Sequence, residues 1–144
     1  MTGFCVRSTG PLLLLFLIAL SCGSSRQLQS VTLDPPAADA KDFPNGQVQF
    51  TATGVFSNSK MAVTLTSKDV TWCYGGVANA ATLTAGLCAG NVIPFASVDQ
   101  NGLAKCSTGF QGSALVLAGV PMPSMNPDGG AQMKVFGSAT LTCP

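Results

Sequence analysis

The chain contains no histidine and no glutamate. Without histidine there is no Ser-His-Asp and no Cys-His nucleophilic arrangement. Without glutamate, half of the usual carboxylate pairs of acid–base catalysis are gone. There is no Cys-x-x-Cys pair, so the six cysteines lack the spacing of a zinc site. Charge is sparse, at 9% of residues with a net +1, and no basic patch stands out. That argues against nucleic acid as a partner. No apolar run approaches the roughly 20 residues that a membrane-spanning helix needs. Long stretches with apolar residues at three-four spacing, free of Gly, Pro and β-branched residues, are also missing beyond the N-terminal segment. On these grounds no catalytic residue, metal or cofactor is assigned, and the chain is expected not to be an enzyme.

The N-terminus carries a targeting pattern. Arg7 is the only charged side chain before Arg26, and the apolar run Leu12 to Leu20 follows it. The run spans about nine residues, too short to cross a bilayer. It closes on Ser21-Cys22-Gly23-Ser24-Ser25. A positive start, a short apolar stretch and small residues at the cut define a secretory signal peptide. Ala19-Leu20-Ser21-Cys22 resembles the bacterial lipobox, with Ala19 where Leu is most frequent. The resemblance implies cleavage after residue 21 and acylation of Cys22, which becomes the mature N-terminus and holds the protein to a lipid bilayer. Two or more acyl chains give stable anchoring. Residues 1–21 are then signal peptide, 22–28 a tether and 29–144 one domain, a size that suits a single core.

Within that domain the signals are those of strands. Leu28 to Leu33 is stopped by Pro35-Pro36. Gln47 to Phe56 alternates, with Val48, Phe50, Ala52 and Phe56 on one side and Gln47, Gln49, Thr51 and Thr53 on the other. Ala62 to Thr66 and Val70 to Cys73 come next. Tyr74 to about Asn91 has no strong period and is expected to be a long loop, with room for one short strand or helical turn, tied down by Cys88. Phe95 to Val98 and Leu103 to Cys106 flank Asn101-Gly102, a strong hairpin signal. Ser113 to Gly119 is apolar on both faces, as in a central strand. Val120 to Gly130 is expected to be a Pro/Gly/Met loop, and Gln132 to Thr142 a last strand. About seven short strands with regular turns predict an all-β sandwich. Its expected core includes Phe50, Trp72, Val116 and Leu141.

Several of these segments, in order, resemble bacterial Ig-like domains of group 2. Gly46 to Gly54 is similar to that family's second strand, and Val70-Thr71-Trp72 to its third, with a buried tryptophan. Ala96 to Ala104 looks like its D–E hairpin. Gly109 to Ala118 looks like its E–F turn and sixth strand, and Gly137 to Thr142 like its last. The resemblance covers about Val31 to Thr142. It implies an Ig-like antiparallel sandwich of surface proteins, adhesive in some cases and a spacer in others, with no catalytic residues to carry over. The stretch between Trp72 and Ala96 is longer than in the family, and four cysteines are not typical of it.

Those four are Cys73, Cys88, Cys106 and Cys143, once Cys5 leaves with the signal peptide and Cys22 takes lipid. An even number in an exported domain reads as disulfides. Counting alternate strand directions gathers all four at one pole. It favours Cys73–Cys88 with Cys106–Cys143 over the two other pairings, which stay open. Asp34, Asp39 and Asp42 fit turn chemistry better than a calcium loop, and Asn126, Asp128 and Gly129 lack EF-hand spacing. Trp72 and Tyr74 suit a core better than a sugar-stacking platform. Met122, Met125 and Met133 suit gap filling better than a contact surface. The expectation is a lipid-anchored protein of the bacterial cell envelope, periplasmic or surface-exposed. Its role is structural or adhesive, toward a protein or glycan surface ligand. A periplasmic inhibitor of an envelope-lytic enzyme is the alternative.

Overall fold

The structure is a computed structural model that describes residues 26–89, 95–125 and 130–144. The fold is an all-β sandwich. Its strands are β1 (Leu28–Asp34), β2 (Ala37–Asp39), β3 (Gln47–Gln49), β4 (Thr51–Phe56), β5 (Val63–Thr64), β6 (Thr71–Val77), β7 (Ala96–Val98), β8 (Leu103–Cys106), β9 (Gly112–Met125) and β10 (Ala131–Cys143). One short helix, α1 (Ala80–Ala85), follows β6.

One layer is the four-stranded sheet β2-β10-β9-β6. The other consists of two three-stranded pieces, β1-β4-β5 and β3-β8-β7. They meet along the alternating run from Gln47 to Phe56. The Phe50 N–H makes the last bond on the β8 side, donating to the Gly102 carbonyl at 2.9 Å. The residues before it pair with β8 and those after it with β1. The expected single strand therefore serves two half-sheets, with its side-chain alternation intact: Val48, Phe50 and Ala52 are all buried.

The core fills the gap between the layers. Val31, Leu33, Val48, Phe50, Ala52, Ala96 and Ala104 come from one side, and Trp72, Tyr74, Val116, Ala118, Ala139 and Leu141 from the other. No buried residue in the described part is polar or charged. Close approach of the layers depends on Gly137, where a Cβ would lie 2.8 Å from the Val31 carbonyl oxygen.

Three expectations need correction. The strand expected over Val70 to Cys73 does not stop at Cys73 but runs to Val77. The expected loop from Val120 is strand as far as Met125, because it pairs with the start of β10 through two irregular registers. The sandwich is also not wholly antiparallel. The chain leaves β1 through Pro35-Pro36, crosses to the other layer and lays β2 parallel to β10. The ten strands described exceed the eight segments read from the sequence through the break at Phe50 and the added piece β2.

Candidate functional site

β9 is buried on both faces. Ala114, Val116 and Ala118 face the inner core, whereas Leu115 and Leu117 face outward and are also 0% exposed. Their cover belongs to the chain between β6 and Ala89. Asn79 begins it by capping α1: its Oδ1 accepts from the N–H groups of Ala81 and Thr82, both at 3.0 Å. Thr82 Oγ1 accepts from the Asn79 N–H at 2.9 Å, which closes a reciprocal box. Gly86 then ends the helix at φ 57°. A Cβ there would collide with the Phe136 ring.

Beyond Gly86 the chain is pinned from both sides. Met133 donates its N–H to the Gly86 carbonyl at 2.8 Å, and Cys88 donates to Ala131 at 2.9 Å. Ala89 donates to Tyr74 at 2.7 Å, along the free edge of β6. The Cys73–Cys88 disulfide joins the same two segments, with Cα atoms 5.6 Å apart. Residues 78–89 are thus a strap across the outer face of the sheet, and Met133 is buried beneath it. Leu83 and Leu87 on the strap, and Val77 at its root, remain 40%, 38% and 43% exposed.

The second disulfide, Cys106–Cys143, joins the ends of β8 and β10 and so ties the two layers together, Cα to Cα at 5.7 Å. These are the pairs favoured by strand counting, but the four thiols do not share a pole. Cys73 lies opposite Leu117 and Cys143 opposite Gly112. That is five positions along β9, or about 16 Å at strand rise. Cys73 sits in mid-strand and points outward, so its bridge lies on the sheet face rather than at its end.

The other sequence-selected residues fall as follows. Phe50, Trp72, Val116 and Leu141 are buried, with Trp72 5% exposed. Trp72 and Tyr74 both belong to the inner core and form no exposed platform. The Tyr74 ring meets Phe95 edge-on at 6.3 Å, and Phe95 stacks on Phe110 at 3.8 Å. Burial pushes the Tyr74 pKa up, and the backbone at Phe95 offsets this only in part. The phenolic oxygen has no well-formed hydrogen bond among the described residues. Asp39 accepts from the Lys41 N–H and pairs with Lys41 Nζ at 2.9 Å. The Lys41 side chain holds its pKa below the usual range, as turn chemistry requires. No group of three potential metal ligands exists among the described residues. Met122 is half-buried. Cys22 and the set Asn126, Asp128 and Gly129 lie outside the described residues.

Sequence reasoning allowed a helical turn in this stretch and a tie at Cys88, but did not place the strap across the sheet. Its signal was present: Asn79 before an Ala/Thr/Leu run and Gly86 after it are helix start and stop residues.

At the end of the sandwich where β1 begins, a cleft of about 390 Å³ opens among Arg26, Leu28, Phe56, Asp69, Val120 and Lys134. The Arg26 guanidinium lies 4.4 Å from the centroid of the Phe56 ring. Asp69 accepts from the backbone and hydroxyl of Thr66, each at 2.8 Å. Those bonds, with smaller help from Arg26 and Lys68, lower its pKa.

No protein-family model matches this chain, and no curated protein gives a significant match to it.

Proposed function

We propose that this protein is a lipid-anchored component of the bacterial cell envelope, with a non-catalytic binding or structural role. The observation that carries the proposal is the apolar run Leu12 to Leu20 closing on Cys22, only six positions before the first strand at Leu28. That spacing leaves a tether and no room for another domain between lipid and sandwich. The order of strands, with β2 beside β10 and with β6, β9 and β10 in one layer, supports the Ig-like resemblance. Two disulfides suit an oxidising compartment outside the cytoplasm.

The strap is the face best suited to a partner. Loops held on a rigid scaffold are the usual carriers of binding residues, and a disulfide spares much of the ordering cost on association. Exposed Val77, Leu83 and Leu87 beside the strap's threonines suit a protein surface ligand. Metabolic labelling with palmitate tests the anchor: the native chain is expected to carry label and Cys22→Ser to carry none. Labelled Cys22→Ser protein would remove the anchor. A pull-down comparing the native protein with Leu83→Asp/Leu87→Asp tests the face, with loss of the captured envelope protein expected in the variant.

A further inference from the structure

We infer that the end of the sandwich bearing Arg26, Lys60, Lys68 and Lys134 docks on an anionic lipid leaflet. The inference rests on the acylated Cys22 proposed above and adds a second, electrostatic contact to it.

The charges of the domain are sorted by end. Arg26 precedes β1, and Lys60 lies in the turn after β4, which is bonded back to the N-terminal segment through Ser57 N–H and the Gln27 carbonyl at 2.8 Å. Lys68 sits beside Asp69 at the cleft, and Lys134 lines the cleft from β10. All four cations are exposed, and among the described residues none makes an ion pair. Asp69 is the one described carboxylate among them. The far end reverses the balance. Asp34, Asp39 and Asp42 gather there with Lys41 and Lys105, and Lys41 is neutralised by Asp39. Asp99 lies between the ends, in the β7–β8 turn, and Asp128 is outside the described residues.

Two further observations set the orientation. Arg26 is four positions from Cys22, so the chain between them reaches at most about 14 Å. The cationic end therefore cannot leave the neighbourhood of the lipid surface, whereas β10 beyond Lys134 runs about 30 Å away from it. Beside Lys60, Met61 is 77% exposed, the most exposed large apolar side chain described. An apolar tip flanked by cations fits the headgroup boundary of a bilayer. Docked this way, the domain presents the Cys106–Cys143 end outward.

The test uses the lipidated protein, purified in detergent and reconstituted into vesicles of phosphatidylcholine alone or mixed with phosphatidylglycerol. A membrane-impermeant amine-acylating reagent is added, and modification is read at each lysine by mass spectrometry. With phosphatidylglycerol, Lys60, Lys68 and Lys134 are expected to be protected while Lys41 and Lys105 react freely. Protection is expected to vanish at 1 M salt, where the Debye length falls to about 3 Å. Lys60→Gln/Lys134→Gln is expected to weaken adsorption by roughly fivefold for each lysine removed, with unchanged circular dichroism. Equal reactivity of all five lysines, or the same pattern in both kinds of vesicle, overturns the docking surface. Flotation with phosphatidylcholine alone reads the acyl anchor separately. A chain that fails to float there but still shows lysine protection with phosphatidylglycerol loses the anchor and keeps this surface.

Discussion

On its inner face the four-stranded sheet meets a second layer of strands, and the side chains between them follow from simple alternation: Trp72 and Tyr74 from β6, Val116 and Ala118 from β9, Ala139 and Leu141 from β10. On its outer face the same β9 offers Leu115 and Leu117 to an irregular strap instead. The leucines on both faces of the sheet are equally dry. What differs is the means of holding the cover in place. The inner cover is secured by four ladders and by the length of the interface. The outer cover has four backbone hydrogen bonds to the sheet, a short helix and one covalent bridge. Burial alone therefore does not tell how cooperative a region is. Where regular pairing is short, a disulfide substitutes for it.

The sharpest challenge to this contrast is truncation on each side. Trp72→Ala is expected to cost about 3–5 kcal/mol and Leu117→Ala about 2 kcal/mol, since the strap can settle into the smaller gap. Urea unfolding measures both, and blue-shifted Trp72 fluorescence in the native protein checks its burial. Equal losses would make the outer layer a core in its own right.

The bridges come next. Removing Cys106–Cys143 with two alanines opens a loop whose ends are 37 positions apart and is expected to cost about 4 kcal/mol of global stability. Removing Cys73–Cys88, at a separation of 15, costs about 3 kcal/mol by the same reasoning. Only the second is expected to expose residues 78–89 to protease while the sandwich persists. Non-reducing peptide maps give the connectivity directly, and a fragment joining Cys73 to Cys106 or Cys143 would reverse the assignment of roles.

A smaller effect is expected at Gly86. Gly86→Ala places a Cβ at positive φ against the Phe136 ring and is expected to cost about 2 kcal/mol. The loss should show as faster hydrogen exchange in the strap rather than in β9.

The smallest effect is on pH dependence, which separates the two faces because the strap holds no titrating group. Burial raises the Tyr74 pKa, so folding favours the protonated phenol. That contribution is complete below about pH 10 and fades as pH rises through the folded value. Asp39 and Asp69 have lowered pKa values. Their stabilisation is present above about pH 4 and is lost as pH falls through the folded values. Asp69 is exposed and Asp39 half-buried at the surface, and each bond is open to solvent screening, so the acid-side loss is slight. Thermal melts across pH should show the alkaline step reporting on the inner face.

The same contrast governs what the sequence makes legible. Residues 114–118, apolar at every position, announce a strand covered on both faces. Gln47 to Phe56 announces a wet face, and Asn101-Gly102 its hairpin, in which Asp99 accepts from the N–H groups of Asn101 and Leu103. Those features depend on neighbours in sequence. The missed features depend on partners far away. Gly75-Gly76 has weak strand propensity, yet β6 continues through it beside β9. Pro121 and Pro123 argue for a loop, yet the irregular registers with β10 accommodate them. The three residues of β2 carry no pattern at all, and only β10 gives them a direction.

That short parallel pairing has a mechanical consequence. β2 and β10 point the same way, away from the start of β1. A pull that enters through Leu28 and leaves through the far end of β10 draws the two strands past each other along their length. Their pairs, Ala37 with Thr140, Ala38 with Leu141 and Asp39 with Thr142, then share the tension and yield together rather than peeling one by one. Past that point the Cys106–Cys143 staple keeps the chain between them from paying out. A force–extension trace is expected to show one tall rupture, followed by a gain in length from which the chain between Cys106 and Cys143 is withheld until the bridge is reduced.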